Sequence, residues 1–242
     1  MALDSGARVV QVPGIRQAAA INRGVEEARG DFVIVLNADD LLYPGAVSRL
    51  ALALAADTGL AAVYGDATHI DAAGSIVSAY PTQPFSRIAL SESCIICHPA
   101  AAVRRSAFQH IGGFDERFDV VMDYDFWIRL SQDHRLSKID GVVAASRMHR
   151  ENKTLSRRRD GFRETRRALL AHFGYIPYTW AFAYTMWLLG DTDPLFAPAS
   201  PTRAAVAAAL VVGLFLNWRR PIRYGADWYA HRAIGQREAP VP

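Results

Sequence analysis

The run Phe32-Val-Ile-Val-Leu-Asn-Ala-Asp-Asp40 constrains the fold more than any other stretch of this chain. Its valine- and isoleucine-rich first half reads as a buried strand, expected over 32–36. It stops abruptly at two adjacent carboxylates, and Tyr43-Pro44-Gly45 follows. In open α/β sheets ligands bind outside the carboxyl ends of the strands, so acids placed there face a site. A divalent cation is one way to relieve their mutual repulsion, and Mg²⁺ is typically held by one or two carboxylates together with substrate phosphates. Helix capping is the competing use of Asp39 and Asp40, because Asp is favoured at helix starts and Pro44 suits a first turn. The pair alone does not decide between the two.

The rest of the chain alternates strands and helices. Val9-Val10-Gln11-Val12 reads as a short strand, residues 16–29 as a helix with Ala18, Ile21, Val25 and Ala28 on one face, and Gly30 as its stop. A helix over 45–56 and a strand over 61–64 follow. Thr68–Ile70 and Ser75–Ser78 flank Asp71-Ala-Ala-Gly74 as a hairpin. Residues 123–132 read as a helix, and 135–139 and 142–148 as strands. This pattern predicts an α/β architecture with a mixed sheet.

At 242 residues, half of them apolar and a fifth charged, the chain is long enough for one large domain, or one and a half small ones, with a real core. The net charge is only +3, but residues 147–167 carry nine Lys/Arg against three Asp/Glu. Such a block suits phosphates or an anionic membrane surface, but on sequence alone a solvated helix face is slightly favoured. No interleaved aromatics accompany it, which argues against a nucleic-acid partner. Cys94-Ile-Ile-Cys97-His98 fits the spacing of c-type haem attachment, but the isoleucines place it in a buried strand, and the favoured reading is two cysteines serving as small hydrophobes. No apolar leader core is visible at the start, so the expected location is cytoplasmic.

Beyond about residue 156 the character changes, giving an expected division into 1–156 and a helical 157–242. A basic helix spans 157–173, an aromatic-rich segment 178–189, and a Pro-containing linker 191–202. The apolar run Ala204–Leu216 ends at Asn217-Trp-Arg-Arg220. Its thirteen residues fall short of the roughly 18–20 that span a bilayer. Trp218 with Arg219, Arg220 and Arg223 suits a helix lying in a membrane interface. Packing on the rest of the chain, or on a second subunit in a homo-oligomer, is the other use of such a helix.

Two further clusters accompany the acidic turn: Asp123-Tyr-Asp125-Phe-Trp-Ile-Arg-Leu130 and Arg147-Met-His149-Arg-Glu-Asn-Lys153-Thr154. In this order the three resemble the family 2 glycosyltransferases of the GT-A fold. Ala18–Gly24 through Ala28–Asp31 is similar to the helix before the family's metal-binding strand. Leu36–Asp40 with Pro44-Gly45 is similar to its metal motif and exit turn. Val63–Asp66, His98-Pro99, Arg104-Arg105 and Gly112-Gly113-Phe114-Asp115 continue the likeness, which covers residues 8–155. No single motif is specific; their order and spacing together are.

The resemblance implies inverting transfer of a sugar from a nucleoside-diphosphate donor to an acceptor hydroxyl on a glycan or lipid-linked acceptor, in polysaccharide or glycolipid assembly. It implies a Mg²⁺ or Mn²⁺ ion at Asn37-Ala38-Asp39, the match to the family's D-x-D, with Asp39 as first ligand and Asp40 assisting or holding the turn. Asn37 stands where many members have an acid. Asp123 takes the position of the catalytic base. The resemblance puts Asn22 and Asn37 beside the donor, Arg147, His149 and Lys153 on the diphosphate, and His98 near the acceptor. Asp125 reads as scaffold on physical grounds, since it lies in a first helical turn, four residues before Arg129. An N-cap role is the structural alternative for Asp123.

One departure stands out. Family members begin with two strands whose turns cradle the base of the nucleotide, and nothing here matches them. The expectation is therefore an N-terminally incomplete GT-A sheet with open edges, joined to a helical and membrane-associated tail, and with poor nucleotide affinity on its own. A non-catalytic carbohydrate- or partner-binding remnant is the alternative function.

Overall fold

The computed structural model describes residues 7–11, 13–190 and 202–235. The chain divides into two compact units, Met1–Pro84 with Ile96–Arg157, and Phe85–Ile95 with Arg158–Pro242.

The first unit is built on one mixed sheet of six strands: β1 (Phe32–Val33), β2 (Leu41–Leu42), β3 (Leu60–Ile70), β4 (Ile76–Ala79), β5 (Ala101–Arg104) and β6 (Arg135–Arg147). Their order is β1-β5-β3-β6-β2, with β4 added to β3. Strands β3 and β6 run parallel, and all other pairings are antiparallel. The first half of β3, Leu60-Ala-Ala-Val-Tyr-Gly65, is buried at every position, as expected of a strand covered on both faces. At Gly65 a Cβ would lie 2.8 Å from Val143, so only glycine lets β6 approach this closely.

Helix α1 (Gln17–Glu27) precedes β1, and α2 (Ala46–Ala56) follows β2. Gly45, with φ of 77°, makes the left-handed turn into α2. Ala46, Leu50 and Leu54, spaced four apart on one face of α2, pack with Leu60, Val63, Ala67, Val143 and Ala144. Each fully buried leucine contributes roughly 1.5–3 kcal/mol. Arg104 of β5 donates to the carbonyls of Leu54, Asp57 and Leu60, satisfying the end of α2 with a cation where the helix dipole favours one. Helices α4 (Arg105–His110) and α5 (Met122–Asp133) and the short α6 (Lys153–Ser156) complete the unit, after α3 (Arg87–Glu92), which belongs to the other.

Several boundaries differ from the sequence reading. Val9, Val10 and Gln11 form no strand, and Val9 and Val10 are exposed; Val12 lies outside the described residues. Strand propensity without a pairing partner and a covered face is not enough. The expected strand 32–36 pairs only at Phe32 and Val33, opposite Arg104 and Val103. The two strands expected at 135–139 and 142–148 are one, β6, which bends at Gly141, where φ is 84°. Cys97 is buried in the core and forms no disulfide with Cys94.

The second unit is helical: α3, α7 (Arg158–His172), α8 (Tyr178–Leu188), α9 (Arg203–Leu216) and α10 (Pro221–Gly235). Thr179 and Trp180 of α8 donate to the carbonyls of Glu92 and Ser91, which joins the 85–95 segment to this unit. Asn217 ends α9 by bonding to Gly213 and to both backbone groups of Ile176. Tyr224 of α10 donates to the Ala209 carbonyl. A Cβ on Gly213 would fall 1.8 Å from the Tyr224 ring, so α9 and α10 meet across that glycine. Most of the expected linker at 191–202 lies outside the described residues.

Candidate active site

The acidic turn is held by its own asparagine. Asn37 Nδ2 donates to Asp40 Oδ2 at 2.9 Å, and the Asp40 amide donates to the Asn37 carbonyl at 3.2 Å. The other oxygen of Asp40 accepts from the Arg147 amide at 2.9 Å. Asp40 is therefore buried with both oxygens bonded, and it ties the turn to the end of β6. Asp39 points the other way. Its side chain is 42% exposed, and its Oδ2 lies 3.3 Å from His149 Nε2.

The residues after β6 are shaped by hydrogen bonds of the loop itself. Asn152 Nδ2 donates to the Arg147 carbonyl at 2.6 Å, and the His149 amide donates to Asn152 Oδ1 at 3.3 Å. This positions His149 over Asp39. Arg147 spends its guanidinium on backbone: Nε donates to the Asp39 carbonyl, and one terminal nitrogen to those of Asp71 and Ala72. It braces the turn from β3 to β4 against the acidic turn. Lys153 Nζ donates to Gln17 Oε1 at 3.1 Å and to Asp119 Oδ1 at 2.6 Å, while Gln17 Nε2 donates to Asn37 Oδ1 at 3.0 Å. Arg157 also pairs with Asp119. Lys153, followed by Arg157, holds the Asp119 carboxyl below its ordinary range.

Asp123 is the second residue of α5 rather than its cap; Val121 is the N-cap, and Asp123 Oδ1 accepts from the Tyr124 amide at 2.8 Å. Burial pushes its carboxyl above the usual range, against the opposing pull of His98. Burial in turn pushes the His98 imidazole down, although both Asp123 and Asp40 favour its charged form. His98 thus lies within electrostatic reach of both acidic clusters. Its ring stacks on Phe114 at 5.4 Å between centroids. Asp125 is buried and pairs with Arg129 at 2.7 Å, and Arg129 also donates to the carbonyls of Ile111 and Gly113.

Asn22 sits elsewhere in the scheme. Its amide donates to the Phe114 carbonyl at 2.9 Å and accepts from the Phe114 amide at 2.8 Å. This clamps the turn at Gly113, where φ is 67° and a Cβ would lie 2.5 Å from Asn22 Oδ1. Both ends of the amide are thereby engaged by the turn that carries Phe114, and so supports His98. Gln17 and Asp119 were not legible as site residues. Nothing in their local sequence signals contact with Lys153, which lies 136 and 34 positions away.

Chemically, the assembly offers one half-exposed carboxylate facing an imidazole, a lysine in a polar network, and a desolvated carboxyl beside a histidine. Asp39 and His149 could supply two ligands to a cation, with Asp40 already committed to the scaffold.

Comparison with known proteins gives these features a context. Residues 1–112 match the family model for glycosyl transferase family 2. The O-antigen biosynthesis protein RfbC of Myxococcus xanthus is 36% identical over 115 residues, covering 48% of this chain and 9% of that protein. Chondroitin synthase of Escherichia coli is 30% identical over 140 residues, covering 57% and 20%. The chain thus spans a fifth or less of the length of these relatives. Among solved structures, S. aureus TarS 1-349 in complex with UDP-GlcNAc superposes with a TM-score of 0.54 at 12% identity, covering 85% of this chain and 65% of that one, a likeness of fold. The mixed sheet flanked by helices is thus GT-A-like, and residues 1–112 of this chain are similar to glycosyl transferase family 2.

Proposed function

We propose that this chain carries the catalytic centre of a sugar transferase that takes a nucleoside-diphosphate sugar as donor, inverts the anomeric carbon, and serves polysaccharide or glycolipid assembly at the cytoplasmic face of a membrane. The observation that carries the reading is the division of labour at the site. Asp39 faces His149 in the open, while Asp123 is desolvated beside His98.

Asp123 acts as the base. A carboxylate whose pKa is lifted toward the working pH is a better proton acceptor than an ordinary one, and such a base is worth about 10²–10⁴-fold in rate. Asp123 is partly buried as a residue, with its carboxyl desolvated. The His98 ring, stacked on Phe114 and favoured in its neutral form by burial, lies within electrostatic reach of the carboxyl.

Asp39 and His149 fit a Mg²⁺ or Mn²⁺ ion. Their ligand atoms are already 3.3 Å apart, and two protein ligands suffice for a cation that takes its remaining oxygens from phosphate and water. The imidazole inclines the pair toward Mn²⁺, because Mg²⁺ prefers oxygen throughout. When bound, the ion would neutralise charge developing on the leaving diphosphate. Lys153 is the direct phosphate contact, with its ammonium released from Asp119 when the diphosphate enters. Arg147, Asn37, Asp40 and Asn22 position these groups through the hydrogen bonds described above.

The test is release of UDP from UDP-GlcNAc, the donor bound by TarS, in the presence of Mn²⁺ and glycan acceptors. Asp123→Asn should abolish transfer while UDP binding stays within about twofold of wild type, as expected for a group used in the transition state only. Equal loss of binding and transfer would reassign Asp123 to the scaffold.

A further inference from the structure

We infer that the outward face of α9 is a docking surface for an anionic lipid bilayer, with Val211, Phe215 and Trp218 entering the interface and Arg219 engaging the headgroups. This names the surface by which the membrane part of the proposed function would be met. It is independent of the chemistry at Asp39 and Asp123.

The residues of α9 divide into two faces. Ala205, Ala209 and Gly213 are buried, four apart, on the side where Tyr224 of α10 packs. The opposite side carries Ala204, Ala207, Val211, Phe215 and then Trp218, at intervals of three and four, all exposed. Val211 is 68% exposed, Phe215 79% and Trp218 69%, and Ile222 just beyond is 88% exposed. From Ala204 to Leu216 there is no polar side chain at all. A water-facing helix side normally carries polar residues, and a helix that is apolar all round is normally covered.

Three features select a bilayer surface as the cover. No helix among the described residues is long and apolar enough to cross a membrane, so α9 would lie in the interface rather than span it. The stripe ends in Trp218, with Arg219 stacked on its ring at 4.9 Å. Tryptophan and arginine side by side suit the headgroup level, where an aromatic ring is half wet and a cation meets lipid phosphate. The unit that bears α9 holds twelve Lys/Arg against seven Asp/Glu, a net +5, whereas the other unit is net −2. A unit of that net sign is drawn to anionic lipid and repelled by a second copy of itself.

The experiment is co-sedimentation of the full chain with phosphatidylcholine vesicles, with and without about one-third phosphatidylglycerol. It is run on wild type, on the double variant Phe215→Ser with Trp218→Ser, and on Arg219→Glu. Circular dichroism confirms that each variant is folded, since all three side chains point outward. UDP binding is measured in parallel, so that failure at the membrane and failure at the catalytic site are read separately. The expected result is binding to the anionic vesicles at least tenfold tighter than to phosphatidylcholine, weakened at least tenfold in the double variant, with Arg219→Glu reducing the anionic preference and added salt doing the same. Vesicle binding unchanged in the double variant would overturn the assignment to α9 while leaving membrane association standing. No vesicle binding at all, with a concentration-dependent dimer in analytical ultracentrifugation that the double variant abolishes, would overturn it in favour of a second copy.

Discussion

The acidic turn after β1 and the start of α5 each present two carboxylates, and the fold treats the two pairs by one rule with different outcomes. In each pair one acid is consumed by the scaffold: Asp40 by Asn37 and the Arg147 amide, Asp125 by Arg129. The other is the one the proposed function uses, and the two lie in opposite environments. Asp39 is half-exposed against His149, whereas Asp123 is desolvated beside His98. A cation ligand must stay ionised and reachable, while a base gains from partial desolvation that lifts its pKa. The contrast teaches that one residue type is given two environments, each suited to one of the two proposed roles.

Four substitutions sharpen or break that contrast. The largest effect falls on Asp123→Asn, which should lower kcat by about 10²–10⁴-fold. The acid limb of the wild-type rate profile should lie above the ordinary carboxylate range, because burial raises this group. The same shift fixes a stability signature. With the folded pKa above the unfolded one, the protonated form's contribution is complete below the unfolded value and is lost as pH rises through the folded value. Asparagine escapes that loss, so urea melts should show Asp123→Asn at least as stable as wild type on the alkaline side. A variant less stable there would make Asp123 a structural residue after all.

Next in size is Asp125→Ala, which strands the Arg129 guanidinium in the interior and should cost about 3–5 kcal/mol in urea unfolding. Asp40→Ala leaves the Asn37 amide and the Arg147 N–H without their acceptor and should cost about 1–3 kcal/mol, measured the same way. Asp39→Ala should change stability by less than about 0.5 kcal/mol, since an exposed pair contributes little. If Asp39→Ala proved as costly as Asp40→Ala, the division between ligand and scaffold would fail.

Part of this was readable in the chain. The hairpin at Asp71–Gly74 and the ion pair of Asp125 with Arg129 rest on local periodicity and spacing, and the structure shows both. The sheet edge was overread, because Ile34–Leu36 and Val9–Gln11 have strand composition but no pairing partner among the described residues. What sequence could not show is that Asp40 is the acid spent in the first pair. The Asp40 contact to Arg147 spans 107 positions and the Asp39 contact to His149 spans 110, and such long-range closures leave no local trace. Arg147 illustrates the point best. Its type and place suit a phosphate, yet its guanidinium is committed to the carbonyls of Asp39, Asp71 and Ala72. Gln17 and Asp119, which hold Lys153, were missed for the same reason.

The most direct test of the central claim is calorimetric titration of the chain with UDP, with and without Mn²⁺, on wild type and on Asp39→Ala. The account predicts weak binding by wild type that Mn²⁺ strengthens at least tenfold, and no such strengthening in Asp39→Ala. Binding that is indifferent to both the ion and the substitution, or no binding under any condition, would contradict it.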